Sequence, residues 1–127
     1  MKNLRKGDEP LFRFVNAMMI KAATQFRLPL RRVLPLEKEN CSRYFGRCEK
    51  DGTIYVRVRD ASKGGRRWKG IDEPYQIIDT MSHELAHLIT LDHTPKWFDL
   101  HLMILGDLAG RRVFEVLSNF HEQRRRH

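Results

Sequence analysis

Apolar residues repeat at three and four in some stretches of the chain and at two in others, and this change of period marks out its elements. Between residues 9 and 27, Leu11, Phe14, Val15, Met18, Met19, Ala22 and Phe26 share one helical face. Pro10, just after Asp8 and Glu9, suits a first helical turn, where the missing N–H has no partner to lose. Pro29 ends this helix, and the apolar-basic run 30–36 reads as a first strand with Pro35 at an edge or an end. Over residues 42–59 the period falls to two. Residues 42–48 and 53–59 read as hairpin arms around Glu49-Lys50-Asp51-Gly52, and Ile54, Val56 and Val58 alternate with Tyr55, Arg57 and Arg59. Residues 60–72 read as a glycine-punctuated loop. The helical period then returns. A second helix opens at Asp72 to Pro74 and runs to about residue 91. A third covers 95–108, broken by Gly110, and a last one covers 111–123 with Val113, Phe114, Val116, Leu117 and Phe120 as its apolar side. The order predicts a single α+β domain over residues 1–127. It has an N-terminal helix, a small antiparallel or mixed sheet of two or three strands, then the second helix and C-terminal helices packed on the sheet.

The second helix carries the chemistry. Its run Ser82-His83-Glu84-Leu85-Ala86-His87-Leu88-Ile89-Thr90-Leu91-Asp92-His93 contains His-Glu-x-x-His and a third His six residues later. Residues four apart lie on one helical face, so His83 and His87 point at a common spot. Ile78, Met81, Leu85, Leu88 and Ile89 fall roughly opposite them, which turns the histidines toward a cleft and not into the core. Two imidazoles at this spacing suit a metal ion, and Glu84 stands where a carboxylate takes a proton from an attacking water. His93 lies ten residues after His83, too far along a continuous helix to join it. Thr94-Pro95 reads as the N-cap and first position of a new helix, which leaves His93 in a tight junction from which it reaches the metal.

Composition and charge add a partner class. Of 127 residues, 24 are Lys or Arg and 16 Asp or Glu, a formal charge of +8, which favours polyanions such as nucleic acid. Lys63, Arg66, Arg67, Trp68 and Lys69 combine charge with an aromatic ring, as single-stranded nucleic acid requires. The same loop equally reads as solvated, with Trp68 folded onto the core. The terminal run Arg124-Arg125-Arg126-His127 reads as a solvated basic tail. No apolar run is long enough to span a membrane and the first residues carry no secretory signal, so the expectation is a cytoplasmic protein whose Cys41 and Cys48 are free thiols.

The motif His83-Glu84-x-x-His87-x5-His93, with Thr94-Pro95-Lys96-Trp97-Phe98 after it, resembles the small zincin metalloproteases of the SprT-like, WLM and YgjP-like group. The resemblance is specific over residues 77–98 and architectural elsewhere. It implies a compact zincin-like fold and a Zn2+ ion held by His83, His87 and His93. It also implies Glu84 as general base of peptide hydrolysis and a protein or peptide substrate. Some members of that group act on proteins crosslinked to DNA, with which the basic charge is compatible. The ligand spacing also equals that of metzincins, but Thr90 stands where those have glycine. A YbeY-like RNA-processing hydrolase shares the three histidines and the Leu-Asp-His ending, and Glu84 in place of its glycine separates the two readings. A zinc-bearing binding module with little activity is a third reading. Tyr75, His101 and the loop arginines are candidates for stabilising an oxyanion. Asp79, Asp92, Asp99 and Asp107 are candidates for supporting a ligating histidine.

Overall fold

The computed structural model describes residues 2–125, with no account of the Arg125 side chain; residues 126 and 127 of the basic tail lie outside the described residues. Four helices pack with two small sheets: α1 (Glu9–Gln25), β1 (Arg32–Pro35), β2 (Gly46–Cys48), β3 (Thr53–Val56), β4 (Arg59–Ala61), β5 (Trp68–Ile71), α2 (Pro74–His87), α3 (Pro95–Gly110) and α4 (Val113–Arg125). The first sheet has the order β1-β3-β2. β1 runs parallel to β3, with Val33 opposite Ile54, and β2 runs antiparallel to β3, with Arg47 opposite Tyr55. Pro35 thus lies on an edge strand, where its missing N–H breaks no ladder.

The α+β class, the hairpin turn and the helix order follow the expectation, but three details differ. Residues 42–45 are not strand. The chain there turns on the Asn40 carbonyl, which accepts from the N–H groups of Arg43 and Tyr44, so β2 begins only at Gly46. Residues 60–72 are not a loop but largely a second hairpin, β4 against β5, joined by a tight turn in which Gly64 and Gly65 have φ of 77° and 71°. A side chain at Gly65 would also meet the backbone of Glu39 at 2.8 Å. Finally, α2 ends at His87 and not near residue 91, whereas α3 closes at Gly110 as expected, with Arg112 at φ 63° beyond it.

The core gathers one face of every helix around β3. Met19 of α1, Ile54 of β3, Met81 and Leu85 of α2, Ile104 and Leu108 of α3 and Val113 of α4 have essentially no exposed surface. An ionic tie closes the ends of the chain over this core. Asp8, buried at the start of α1, receives Arg59 of β4 at 2.8 Å and 3.2 Å, and Arg124 of α4 stands 3.4 Å from the same carboxylate. Both Cys41 and Cys48 are free, and burial raises each thiol to about 11. Among the described residues no helix is long and apolar enough to cross a membrane.

Removing one partner of a buried ion pair strands the other charge. Asp8→Ala should therefore lower unfolding free energy by about 3–5 kcal/mol, read from urea denaturation, while Arg13→Ala, whose pair with Glu9 is surface-exposed, should change it by less than about 1 kcal/mol.

Candidate metal centre

The centre depends on where α2 stops. Helical hydrogen bonding gives way after His87 to tighter turns, Leu88 N–H to the Leu85 carbonyl and Ile89 N–H to that of Ala86. The helix is therefore four residues shorter than the apolar pattern predicts, and Ile89 and Leu91 are exposed instead of continuing the buried stripe. The chain then restarts at Thr94, whose hydroxyl caps α3 by accepting from the Trp97 N–H at 3.2 Å. Between the two helices, His93 turns back over the His pair.

The three imidazoles meet through their Nε2 atoms. His87 lies 3.0 Å from His83 and 3.1 Å from His93, and His93 lies 3.4 Å from His83. Three nitrogens around a four-coordinate ion, at bonds of about 2.0–2.1 Å, form a triangle with edges of about 3.3 Å. The observed triangle fits such an ion, and His83, His87 and His93 together could hold a metal ion. Protonation agrees with this. His87 Nδ1 lies 3.0 Å from the Thr90 carbonyl, an acceptor only, so the ring proton sits on Nδ1 and Nε2 offers its lone pair. Burial, and after it the neighbouring His87 and His93, hold His83 down to about 4, so it is neutral at physiological pH.

Glu84 follows His83 on α2 and is 7% exposed. Burial alone pushes its carboxyl up to about 7. It borders a cavity of about 300 Å³ with His83, Thr80 and Asp79 of α2 on one side and residues 43–46 on the other. Gly46 makes this approach possible. A Cβ there would lie 3.0 Å from Glu84 Cγ, 2.8 Å from Thr80 Cγ2 and 2.9 Å from the Tyr55 carbonyl. The signal in the sequence is an isolated glycine in a strand, which marks a close backbone approach.

Aromatic packing holds the histidines in place. The Trp97 ring is edge-on to His83 at 4.8 Å and to His93 at 4.6 Å, and stacks on His87 at 5.3 Å. Behind it, His101 stacks parallel on Trp97 and its Nε2 lies 3.4 Å from Asp79, which lines the cavity. Of the four carboxylates considered as supports, Asp107 pairs with Arg111, Asp92 contributes its carbonyl to the 90–94 turn, and Asp99 is exposed. The support for His87 is instead the backbone of Thr90, which side-chain patterns do not reveal. Tyr75 is 64% exposed near the start of α2.

The basic residues proposed for nucleic acid lie on the second hairpin. Lys63, Arg66, Arg67 and Lys69 are exposed, but Trp68 packs half-buried against Leu36, Cys41 and Ala61, with the Lys38 ammonium 5.0 Å from its ring centroid. None of the five lines the cavity at Glu84. No family model matches the chain, and neither a curated protein nor a solved structure matches it.

Two outcomes test this geometry. Titration with Co2+ should quench tryptophan emission in wild type and in Trp68→Phe, whereas Trp97→Phe should lose the response because Trp97 alone touches the three rings. Gly46→Ala, which overpacks the contact with Glu84 and β3, should destabilise the protein by about 1–3 kcal/mol in a chemical melt.

Proposed function

We propose that the protein is a zinc-dependent metallopeptidase, with His83, His87 and His93 as ligands and Glu84 as general base. The observation that carries this reading is the Nε2 triangle together with the buried carboxylate of Glu84, which lines one cavity with His83. Three imidazoles suit zinc, whose catalytic sites take three protein ligands and leave one position open. Zinc bound there supplies a Lewis acid at the carbonyl to be cleaved. The chain's own residues supply the rest. Glu84 accepts the proton of the attacking water and passes it to the leaving amine, and its burial favours the uptake while leaving its proton affinity near neutral, where release to an amine remains open. Trp97 and the Thr90 carbonyl hold the imidazoles in register.

Peptide is favoured over RNA because of the strand beside Glu84. β2 pairs only with β3 among the described strands, so its other edge is open. The Phe45 carbonyl accepts from Arg57 and the Glu49 N–H donates to Thr53, so by alternation the main-chain groups of Gly46 and Cys48 face that open edge. An extended peptide would find main-chain partners there, next to the general base. The net charge of +8 supports substrates carried on a nucleic acid, with the hairpin 59–71 as a contact outside the cleft.

Zinc-loaded wild type should cleave casein or a DNA-bound protein, and Glu84→Gln should lower the rate by about 10²–10⁴-fold with zinc content unchanged. His83→Ala should lose bound zinc by elemental analysis. RNA degradation by both wild type and Glu84→Gln, with proteins left intact, would sink the peptidase reading.

A further inference from the structure

The cavity at Glu84 has one wall that hydrolysis does not use. Arg43, Tyr44 and Phe45 border it from the turn preceding β2, and Tyr44 and Phe45 are 48% and 44% exposed beside a buried carboxylate. Two large rings left in water at the mouth of a cleft are unspent apolar surface. Each is held by a cation. The Arg43 guanidinium lies 5.4 Å from the Tyr44 ring centroid, and that of Arg57 lies 4.2 Å from Phe45. Arg57 is fixed in turn by Asp72, at 2.6 Å and 2.9 Å, and by the Cys41 carbonyl, so the Phe45 face of the wall is set before any ligand arrives.

We propose that Tyr44 and Phe45 form a specificity site that selects a bulky aromatic side chain in the polypeptide residue lying on the Glu84 side of the bond to be cleaved. The proposal rests on the peptidase reading and names its substrate class. Charge does not set the preference. The cavity is bordered by Arg43 of one sign and by Asp79 and Glu84 of the other, and Asp79 faces His101. What remains to recognise a ligand is ring surface, which aromatic side chains meet face-to-edge or offset-stacked. Position follows from Gly46, which belongs both to the open edge of β2 and to the cavity lining. A residue paired to that edge beside Gly46 projects its side chain on the face where a Gly46 Cβ would meet Thr80 and Glu84, and so into the cavity that Tyr44 and Phe45 border. A nucleobase could also stack on a ring, but the guanidinium groups nearest the wall already lie over Tyr44 and Phe45, and the open strand edge offers amides to a polypeptide.

The test reads binding apart from hydrolysis. Zinc-loaded Glu84→Gln is titrated with fluorescein-labelled ten-residue peptides that differ only by Phe or Ala at one central position, and anisotropy gives the affinities. The Phe peptide should bind at least about tenfold more tightly. In Tyr44→Ala and in Tyr44→Ala/Phe45→Ala, both on the Glu84→Gln background, the ratio should fall to within about twofold, with thermal melts showing that the variants remain folded; Tyr44→Phe should keep the preference. Equal binding of the two peptides, or a preference that survives the double substitution, overturns the proposal. So does a single-stranded RNA whose binding, and not that of the peptides, is lost in the double variant. If the selectivity appears but wild type cleaves none of the bound peptides, the site stands as a recognition site and it is the peptidase reading that fails.

Discussion

The candidate centre depends on a single constraint: α2 must end at His87. On a continuous helix the ten residues from His83 to His93 would span about 15 Å, yet their Nε2 atoms lie 3.4 Å apart. The reversal over residues 88–94 closes that distance. It is built from main-chain bonds that tighten the last turn, a His87 Nδ1–H donated to the Thr90 carbonyl, and a Thr94 cap that restarts the helix. The same reversal sends α3 back along α2 and places Trp97 amid the three imidazoles. Imidazole convergence and ring packing are thus two results of one turn.

Around this turn the fold accepts local costs. A carboxyl raised by burial alone, and imidazole nitrogens within 3.0–3.4 Å of one another, are not arrangements that stabilise a metal-free chain. They persist because surrounding elements over-determine them. The apolar face of α2 is sealed by α1, α3 and β3, and Asp8 with Arg59 and Arg124 ties the two ends of the chain together. Such a concentration of individually unfavourable features at one place stands out against an otherwise consistent core.

The second hairpin shows how a composition signal misleads. Glycines and cations between 60 and 72 have the composition of an open loop, but Gly64 and Gly65 are there to make a tight turn and to let it press on Glu39. Trp68 then packs inward under Lys38 while the cations around it stay in solvent. The aromatic surface exposed at the cleft comes instead from Tyr44 and Phe45, residues that alternation alone assigned to a strand arm.

Local rules in the sequence determined much of this. Helical period and Pro10 placed α1, Asp51-Gly52 placed the β2–β3 turn, and a four-residue spacing on an amphipathic helix put His83 and His87 on one face with Glu84 beside them. Thr94-Pro95 marked the start of α3 and so gave His93 a reason to turn back. What only the tertiary structure decided involves partners distant in the chain. The fit of Gly46 against Glu84 and Thr80, the anchoring of Phe45 by Arg57 and Asp72, and the closure of Asp8 with Arg59 and Arg124 join residues 12 to 116 positions apart. The support of His87 by a main-chain carbonyl leaves no mark on side-chain identity at all. Period and capping act within a few residues, whereas these contacts exist only once the sheet edge, the helices and the two ends of the chain have been brought together by burying a common core.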